Sequence, residues 1–498
     1  MKLEKLLSVV IEKKVTSNLN PEIKGVVYDP LRVKPGFLYV AINIYTQLNK
    51  IELPDGHPFV NDAIKAGASA VLLQRDLPVP DDVVKIVVPN SRLALALISS
   101  EFYGHPSQKF KLIGITGTNG KTTTAHIIES ILVQNYRTGL IGTLYYKING
   151  KIYKSKDTTP EPPDLQKIFT NMNEQKCDYC VMEVSSHGID FNRVAGLKYV
   201  LGVWTNFTQD HLDWHKTMNN YRNTKLRWFA NLEPNKTVII NVDDPSVKCF
   251  IDAARAKKIT YGIKNSADVT ARNIKLGGDG TVFTLITPVG EIDVQAKLRG
   301  KFNLYNMVCA AAAAHTQGIS LEKIKSGLEG EIIVAGRFQS VNQGQDFTVI
   351  VDYAHTPDGL LKVLNAARSM NPERIITVFG CGGDRDPSKR PKMGAIVKEL
   401  SDIAIITDDN PRTEDPEEIM DQIVTAFKDR VNNDYKVIHD RHEAIQHAID
   451  IAKTNDLILI AGKGHENTQT LRDRTIHFND YEVANEILEK RRENYSRK

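Results

Sequence analysis

The sequence predicts an α/β protein with mostly parallel sheets, divided into three domains. Its 498 residues, at roughly 150 residues per domain, suggest about three domains. Short β-branched runs that end in Gly- or Asp-rich loops alternate with helical stretches, a pattern typical of parallel sheets covered by helices on both faces. In such sheets ligands bind at the carboxyl ends of the strands, and the polar loops of this sequence directly follow the strands.

The individual elements follow from local composition, taken in chain order. Strands are predicted at Lys111–Thr116, Cys180–Val184, Tyr199–Thr205, Thr237–Asn241, Phe347–Val351, Arg374–Phe379, Asp402–Thr407 and Asp456–Ile460. Helices are predicted at Leu93–Phe102, Ala125–Val133, Ala395–Leu400, Pro416–Asp429 and Glu443–Ala452. The alanine run Ala310–Ala314 predicts a further, closely packed helix.

Two breaks divide the chain into the three predicted domains. The first is predicted near Pro89–Asn90, with His105–Pro106 as the alternative, and the second near Gly327–Gly336, where turn residues precede a new strand. The domains are then a small N-terminal α/β domain at 1–90, a central nucleotide-binding domain at 91–335 and a C-terminal domain at 336–498.

Charge and cysteine content exclude several classes of protein. Lys and Arg number 64 against 60 Asp and Glu, a near balance that argues against a nucleic-acid-binding protein or a polybasic membrane protein. No stretch approaches ~18 apolar residues, and the run Leu6–Ile11 is too short for a signal peptide. Five cysteines cannot form a disulfide framework, which predicts a reducing cytoplasm. Cys177 and Cys180 are expected to be structural, because Cys180 begins a buried strand.

The strongest local motif is the run ITGTNGKTTT at the end of the first of these strands. Gly117 and Gly120 allow backbone N–H groups to close around phosphates, and the start of a helix adds its positive dipole end. Lys121 is placed to neutralise the terminal phosphates, and Thr122 to bind Mg²⁺. A strict phosphate-loop match fails, because position 115 is Ile and Gly114 falls one place too early.

A carboxylate at a strand end predicts a cation site, and a nearby pair of histidines has to be considered as a zinc site. Glu183 lies near the end of a strand, at the edge where ligands bind, and supplies the hard oxygen that Mg²⁺ prefers. His211 and His215 form an H-x-x-x-H pattern, but the glutamate of a zinc metalloprotease is absent because position 212 is Leu. The sequence therefore favours magnesium over zinc.

Eight motifs occur in this order along the chain: TGTNGKTTT, EVSSHGIDFNRV, TNFTQDHLDWH with a later Lys225, GKFNLYN, VDYAHTPDGL, GCGGDRDPSKRPKMG, DDNPR and GKGHE. Together they resemble the Mur ligases, most closely the branch that adds the third peptide residue in peptidoglycan assembly. The resemblance covers essentially the whole chain. It implies an N-terminal domain that holds the UDP end of the substrate, a central ATPase domain and a Rossmann-like C-terminal domain that brings the amino acid. It also implies ATP-driven amide formation through an acyl phosphate.

The same resemblance implies roles for individual residues. The implied nucleotide contacts are Gly117, Thr118, Asn119, Gly120, Lys121, Thr122, Thr123, Asn303, Arg337 and Asp352. The implied Mg²⁺ ligands are Thr122, Glu183, His211 and Lys225, the last as a CO₂-derived carbamate. The implied contacts to the UDP substrate are Asp29, Thr158, Thr159, Ser185 and Arg193. The implied amino-acid pocket is Arg390, Asp409, Asn410, Pro411, Arg412, Gly462 and Glu466. The catalytic residues would be Lys121, Lys225, His211 and Arg337.

The run D-N-P-R resembles the version of this loop that selects meso-diaminopimelate. That amino acid differs from lysine by a second carboxylate at its far end, which a guanidinium can bind bidentately, whereas the guanidinium would repel the ammonium of lysine. Arg412 would hold the carboxylate, and Glu466 could pair with the distal ammonium. The implied partners are UDP-MurNAc-L-Ala-D-Glu, meso-diaminopimelate and ATP, with no nucleic acid and no membrane, and the protein is expected to be a monomer.

Some positions depart from the family pattern, and some alternatives stay open. The usual D-S-R-x-V-x-P-G is Asp29-Pro30-Leu31-Arg32-Val33-Lys34-Pro35-Gly36 here, and Phe191 stands where a glutamine is sometimes found. One alternative function is the same ligase reaction with L-lysine, and another is that of a sister enzyme such as a folylpolyglutamate synthetase. A P-loop nucleotide switch without ligase activity is the third.

Overall fold

The computed structural model describes residues 1–42, 55–428 and 435–496. Its first part contains helices α1 (Leu3–Leu7), α2 (Val60–Lys65) and α3 (Ser91–Phe102), and strands β1 (Lys14–Val15), β2 (Gly25–Val27), β3 (Phe37–Val40), β4 (Ala70–Leu73) and β5 (Val84–Val87). The strands form one sheet in the order β1-β5-β4-β3-β2, parallel except for β1.

Helix α3 bears on where the first domain ends. Its side chains Ala94, Leu95 and Ile98 are buried in the same core as Leu38 and Leu72 of the first sheet. The boundary at residue 90 stays a prediction, but this packing supports the alternative at His105–Pro106. We therefore propose that α3 belongs to the N-terminal domain.

The central part is built on a larger, mostly parallel sheet. Its strands are β6 (Lys111–Thr116), β7 (Thr138–Ile141), β8 (Tyr145–Ile148), β9 (Lys151–Lys154), β10 (Tyr179–Glu183), β11 (Leu201–Trp204), β12 (Thr237–Asn241) and β13 (Lys257–Tyr261), in the order β13-β12-β11-β6-β10-β7-β8-β9. The pairs β7–β8 and β8–β9 are antiparallel, and the other strand pairs of this sheet are parallel. The helices are α4 (Lys121–Leu132), α5 (Pro162–Glu174), α6 (Ser186–Asp190), α7 (Leu212–His215), α8 (Met218–Ala230) and α9 (Val247–Ala253).

Alternation of side chains explains why this sheet is covered on both faces. Ile113 and Ile115 of β6 face a core that also contains the buried alanines 310–314, whereas Leu112 faces the core on the other side with Phe169 of α5. An antiparallel sheet of β14 (Thr270–Gly277), β15 (Gly280–Thr287) and β16 (Gly290–Ala296) and the helices α10 (Lys301–Thr316) and α11 (Leu321–Glu329) complete this part.

The C-terminal part has a second mostly parallel sheet. Its strands are β17 (Gln339–Val341), β18 (Thr348–Asp352), β19 (Ile375–Phe379), β20 (Ile403–Ile406), β21 (Tyr435–Val437) and β22 (Leu457–Ala461), in the order β17-β18-β22-β19-β20-β21 with only β17 antiparallel. A small hairpin follows, β23 (Thr468–Thr470) and β24 (Thr475–His477). The helices are α12 (Pro357–Arg368), α13 (Arg390–Leu400), α14 (Pro416–Val424), α15 (Arg441–Ile451) and α16 (Asp480–Ser496).

The predicted fold class is confirmed, and each predicted strand has a counterpart in the structure. The predicted helices are found too, with shifted ends: α4 begins at Lys121 rather than Ala125, and α14 ends at Val424. Asp429, the predicted end of that helix, lies outside the described residues. The sequence analysis missed the N-terminal strands, the antiparallel sheet β14–β16 and the β7–β9 edge.

The two cysteines predicted to be structural lie inside the protein. Cys177 and Cys180 are free and buried. Burial raises the pKa of Cys177 to about 11, so its thiol stays protonated, and therefore unreactive, at neutral pH. Cys180 lies one residue inside β10. Across the described ranges, no helix has both the length and the apolar character needed to cross a membrane.

Candidate active site at the nucleotide loop and the facing domain

The loop between β6 and α4 needs its glycines for two reasons. Gly117 has φ +147° and Gly120 has φ +84°, conformations that residues with a side chain rarely adopt. A Cβ at Gly117 would also collide with the hydroxyl of Thr205, and one at Gly120 with the amide oxygen of Asn306. Strand, tight loop and helix N-terminus thus form the phosphate-binding arrangement that the motif predicts.

Lys121 curls back over this loop. Its Nζ donates to the carbonyl oxygens of Gly117 at 3.0 Å and Thr118 at 2.9 Å. Burial lowers the pKa of Lys121, although the carboxylates of Glu183 and Asp210 oppose that shift. The ammonium therefore has weak partners that phosphate oxygens can replace. Thr123 follows in the buried first turn of α4.

Thr122 and Glu183 meet at the carboxyl edge of the sheet. The Thr122 hydroxyl donates to Glu183 Oε2 at 3.0 Å, and the Glu183 residue is only 1% exposed. Thr143 also donates to this carboxylate, from its N–H at 2.9 Å and its hydroxyl at 3.1 Å. Within the described residues no cation pairs with Glu183. A buried carboxylate with neutral donors only, beside a threonine hydroxyl, fits a Mg²⁺ site. Sequence reasoning missed Thr143, which lies in no recognisable motif.

Lys225 is buried next to the same loop. Its Nζ donates to the Gly117 carbonyl at 3.0 Å and lies 4.6 Å from the centre of the Tyr221 ring. The residue is 1% exposed, and burial followed by the charge of Lys121 lowers its pKa well below the ordinary lysine value. In the part of the chain that the structure describes, no carboxylate forms an ion pair with it. This is an unusual environment for a permanent ammonium.

His211 lies at the start of α7 with φ +53°. Its Nε2 is 3.3 Å from Asp210 Oδ2, and its ring lies edge-on to His187 at 4.9 Å. Burial lowers the pKa of His211 to about 3, so its imidazole is neutral at pH 7 and able to bind a metal ion. His215, the second histidine of the H-x-x-x-H pattern, is turned towards Tyr221, with ring centres 5.0 Å apart. Among the described residues, no group of three or more His, Cys, Asp or Glu side chains forms a metal site by itself.

The C-terminal domain faces the nucleotide loop and contacts it directly. Asn119 Nδ2 donates to Asp358 Oδ2 at 2.8 Å, and Gln209 Nε2 donates to Asp386 Oδ2 at 2.8 Å. His355 Nε2 lies 3.8 Å from Asp210 Oδ2. Polar groups thus bridge the two domains beside the nucleotide loop, and an apolar contact between Phe302 of α10 and Phe338 joins them as well.

Arg337 and Asp352 lie on the far side of this cleft. The Arg337 guanidinium stacks over the Tyr353 ring at 4.3 Å, and its charge reaches Lys121 strongly enough to lower the lysine pKa. Asp352 accepts hydrogen bonds from the N–H groups of Phe338 at 2.7 Å and Ala354 at 2.8 Å. Burial raises the pKa of Asp352. Asp352 therefore holds the loop that carries Arg337.

Asn303 lies in α10 close to the nucleotide loop. It donates to the Arg299 carbonyl at 2.9 Å and accepts from Asn306 at 3.1 Å. Asn306 in turn accepts from the Thr124 hydroxyl at 3.3 Å. Asn303 is thus linked to α4 through Asn306, a residue that the sequence analysis did not single out.

Four of the residues predicted for the UDP substrate lie together beside Glu183. Thr159 donates its hydroxyl to the Glu183 carbonyl at 2.9 Å and accepts from the Ser185 N–H at 3.0 Å. Arg193 donates to the Thr159 carbonyl at 2.8 Å, and Thr158 lies 3.0 Å from Thr143. Their neighbours include an acid, since Arg193 pairs with Glu161 at 2.8 Å.

Asp29 lies apart from this group, in the N-terminal domain. It accepts from the Leu31 N–H at 3.0 Å and pairs with Arg32 at 3.3 Å. Arg32 also reaches Asp164 of α5 at 3.0 Å. The altered Asp29–Arg32 stretch therefore still joins the N-terminal domain to the central one.

The predicted amino-acid pocket is assembled from the loops after β19, β20 and β22. Asn410 Nδ2 donates to Glu466 Oε2 at 2.8 Å. Arg412 has φ +55°, and its Nη1 donates to the Gly383 carbonyl. In the described residues no carboxylate pairs with its guanidinium, and burial lowers its pKa.

The remaining pocket residues frame this arginine. Pro411 brings its carbonyl against Gly383, and Gly462 leaves no room for a Cβ because Asp409 Oδ2 would lie 2.7 Å from it. Burial acts to raise the pKa of Asp409, but the charges of Lys463, Arg441 and Lys389 lower it overall. The Asp409 carboxylate is therefore kept ionised by these cations, and it packs closely against Gly462.

The Arg390 guanidinium is bound by groups of the protein. The residue is fully buried, pairs with Glu414 at 2.8 Å, donates to Gln422 at 3.1 Å and reaches the Gly382 carbonyl at 3.3 Å. Arg385, which sequence reasoning missed, lies with Arg412 against Gly382, and its side chain is 48% exposed. Arg385 lies in the same GCGGDRDPSKRPKMG run as Arg390, so the motif contained both arginines.

The sequence matches two families, the Mur ligase middle domain at residues 115–314 and the Mur ligase glutamate ligase domain at residues 336–464. The UDP-N-acetylmuramoyl-L-alanyl-D-glutamate–2,6-diaminopimelate ligase 1 of Clostridium acetobutylicum is 44% identical over 491 residues, 98% of this chain and 99% of that protein. The chain belongs to the Mur ligase family. It is an ATP-dependent ligase, which sets aside the nucleotide-switch alternative.

Other members support this assignment. A relative from Bacillus cereus with the same name, without the final number, is 43% identical and covers 98% of each chain. A solved structure of a UDP-N-acetylmuramoyl-L-alanyl-D-glutamate–2,6-diaminopimelate ligase has a TM-score of 0.66 at 30% identity, covering 94% of this chain and 95% of that one. A Mycobacterium tuberculosis folylpolyglutamate synthase, 18% identical over 75% of this chain and 92% of its own, has a TM-score of 0.64 and shares the fold alone.

Proposed function

We propose that this ligase joins the amino group of meso-diaminopimelate to the D-glutamate carboxylate of UDP-MurNAc-L-Ala-D-Glu, with ATP, in peptidoglycan synthesis. The single observation that carries the choice of amino acid is Arg412, a partly buried guanidinium without an acidic partner in the described residues. The diaminopimelate ligase names of the relatives support the same substrate.

The reaction needs the carboxylate to be activated, because its oxygen is a poor leaving group. Lys121 is placed to bind the phosphates, and Arg337 faces it across the cleft to stabilise charge on the transferred phosphoryl group. The acyl phosphate that forms then loses phosphate when the amine attacks. Closure of the C-terminal domain through Asp358 and Asp386 would exclude water from this intermediate.

Thr122, Glu183 and His211 are the side chains that would hold Mg²⁺. Bound there, the ion would neutralise charge on the phosphate oxygens. The carboxylate of Glu183 and the neutral imidazole of His211 fit this role, because neither has a cation partner in the described residues. Thr143 keeps the Glu183 carboxylate in place, with its N–H on Oε1 and its hydroxyl on Oε2 beside that of Thr122.

We infer that Lys225 is carbamylated in the working enzyme. Its Nζ is buried against a carbonyl and an aromatic ring, where a free ammonium would repel both Lys121 and a bound cation. Reaction of the neutral amine with CO₂ replaces the cation by an anion with two oxygens. That anion could bind Mg²⁺ next to the nucleotide loop.

Thr158, Thr159, Ser185 and Arg193 are the proposed contacts for the UDP-linked dipeptide. They surround the end of β10, where Glu183 would hold the metal, so a carboxylate bound to them would lie near the transferred phosphate. Asp29 would act in the N-terminal domain at the uridine end. We place the reaction in the cytoplasm, carried out by a monomer.

Product mass tests this function. The enzyme is incubated with UDP-MurNAc-L-Ala-D-Glu, ATP and Mg²⁺, and with meso-diaminopimelate or L-lysine in separate reactions. We expect the mass of the diaminopimelate adduct, and phosphate release only when both the UDP substrate and the amino acid are present. An equally efficient lysine adduct would overturn the choice of amino acid, and phosphate release with a folate substrate would favour the sister ligase.

A further inference from the structure

Lys463 is a buried lysine with no part in the function proposed so far. It follows β22 and Gly462, whose φ of +119° turns the chain back towards the loop after β20. The residue is 0% exposed. A buried ammonium is costly unless it is paired, so its surroundings define its purpose.

All three hydrogens of this ammonium are used within the protein. Nζ donates to Asn410 Oδ1 at 3.1 Å, to Glu466 Oε2 at 3.1 Å and to the Thr468 carbonyl at 2.8 Å. Because a lysine ammonium has three donors and no acceptor, none is left for a substrate. Lys463 can influence the amino acid only through these neighbours and through its charge.

One neighbour, Asn410, has its orientation fixed by Lys463. Its Oδ1 accepts from both Lys463 Nζ and the Thr470 N–H, the latter at 2.9 Å. Since both of these groups only donate, the amide cannot be reversed. Its Nδ2 must therefore face Glu466 Oε2, 2.8 Å away.

The other neighbour, Glu466, has one oxygen committed and one available. Oε2 accepts from both Lys463 and Asn410, while Oε1 has no donor in the described part of the chain. The Glu466 side chain is 30% exposed. Oε1 is thus the atom available to an ammonium at the far end of the amino acid.

Lys463 also sets the charge balance of this end of the pocket. Lys463 pairs with Glu466 directly, and Asp409 is affected by the charges of Lys463, Arg441, Lys389 and Arg412, of which Arg441 is already paired with Asp480. Without Lys463 the net charge at this end would become more negative by one unit, and an end group that is a plain ammonium would be favoured.

We propose that Lys463 is a positioning residue that makes the pocket prefer a far end with both an ammonium and a carboxylate over one with an ammonium alone. This inference rests on the proposed function, because it concerns the same amino-acid site. Lys463 orients Asn410 and Glu466 and offsets their negative charge, which leaves the Arg412 guanidinium available for the carboxylate.

The first test is Lys463→Met, which keeps the length of the side chain and removes the charge. We expect the ratio of kcat/KM for meso-diaminopimelate to that for L-lysine to fall by about tenfold or more. The KM for the amino acid should rise while the KM for ATP stays within about twofold, because the nucleotide loop is untouched. Lys436→Met, an exposed lysine on β21, is the matched control and should leave the ratio unchanged.

The second test is Glu466→Gln, which removes the opposite charge and should move the ratio the other way. Lysine then loses its only distal partner, whereas meso-diaminopimelate keeps Arg412, so the ratio should rise. An unchanged ratio in a folded Lys463→Met protein, or a ratio that does not rise in Glu466→Gln, would overturn the inference. If Lys463→Met does not fold, Glu466→Gln decides alone. A wild-type enzyme that uses neither amino acid would instead contradict the proposed function.

Discussion

The cationic side chains at the nucleotide loop and those of the amino-acid pocket have different kinds of partner. At the loop, Lys121 and Lys225 both donate to the same carbonyl oxygen, that of Gly117, each at 3.0 Å. In the C-terminal domain, Lys463 and Arg390 are each paired with a carboxylate. Arg412, in contrast, has no such pair within the described residues.

The difference matches what each site has to bind. ATP brings several negative charges, so the Lys121 ammonium, which has only carbonyl partners in the described residues, gains most of its pairing when the nucleotide arrives. Amino acids are zwitterions that differ in one end group, so their pocket has to be nearly neutral before a single unpaired cation can discriminate between them. The loop is therefore built for affinity and the pocket for selectivity.

The largest effect on activity is expected from a substitution of Lys121. Lys121→Ala should lower ATP-dependent product formation by about 10³-fold, because a positioned cation aimed at transferring phosphate is lost. Phosphate release and thermal melting are measured together, and the melting temperature should change little. The exposed Lys109→Ala is the control. Retention of more than roughly a tenth of the activity would contradict this role.

The next largest effect is expected at the second lysine of the loop. Lys225→Ala should lower activity by about 10²- to 10³-fold, since the proposed carbamate and its metal contact are both removed. Short carboxylates added to the variant should restore part of the activity by occupying the vacated space. Asn223→Ala, an exposed position on α8, is the control. An unmodified ammonium in a high-resolution structure with Mg²⁺ and nucleotide would show that the carbamate is wrong.

In the pocket, Arg412→Ala should abolish the selectivity rather than the nucleotide chemistry. We expect the preference for meso-diaminopimelate over L-lysine to fall by about 10²-fold, since a bidentate carboxylate contact is lost and a repulsion is removed. Initial rates with each amino acid give the two kcat/KM values. Arg385→Ala should produce a smaller change in the same direction. If the wild-type enzyme used both amino acids equally well, this reading of the DNPR loop would fail.

How far the sequence could predict these two sites follows from how each is built. The nucleotide loop is one contiguous run, in which strand, glycines, lysine and threonines are adjacent, so its geometry was predicted from the motif and the fold was confirmed around it. The pocket brings together three loops that are far apart in sequence. Contacts such as that between Lys463 and Asn410 arise only after the sheet has formed, which is why the sequence could not indicate Lys463 or distinguish Arg390 from Arg385.

The missed strands have a similar explanation. Strands β14–β16 alternate exposed and buried residues and lie in an antiparallel sheet, so they lack the continuous apolar runs that marked the parallel strands. Thr143 was missed because its role depends on its distance to Glu183, forty positions later in the chain. The roles of the individual site residues stay predictions until they are tested by substitution.

A substitution of Arg390 tests whether a cation that is paired with a carboxylate affects stability rather than selectivity. Arg390→Met should lower the free energy of unfolding by about 3–5 kcal/mol, because it leaves Glu414 without its buried partner. The selectivity ratio should change little in the protein that remains folded. Urea denaturation and the two kcat/KM values are measured on the same preparation. A stable variant with lost selectivity would restore Arg390 to the pocket.

The smallest effect concerns how stability depends on pH in the two regions. The folded-state pKa of Asp409 is lowered by the charges of Lys463 and Arg441 against the opposing effect of burial, whereas burial raises the folded-state pKa of Asp352. The unfolded state binds more protons than the folded state at Asp409 and fewer at Asp352. Stability from Asp409 is therefore present above the unfolded pKa of about 3.9 and is lost as the pH falls, while Asp352 lowers stability as the pH rises through its raised pKa.

The two asparagine variants should consequently change the pH slope of stability in opposite directions. Urea unfolding of the nucleotide-free enzyme, measured from about pH 3 to 7, should show the deficit of Asp409→Asn relative to wild type growing with pH. The corresponding deficit of Asp352→Asn should shrink or become a gain, because that carboxylate is buried with backbone N–H donors and, among the described residues, no cation pairs with it at hydrogen-bond distance. Only the slope is compared, so a constant cost of the amide group cancels. Equal slopes would mean that the two carboxylates have similar electrostatic surroundings, and the contrast between the two regions would then not extend to their acids.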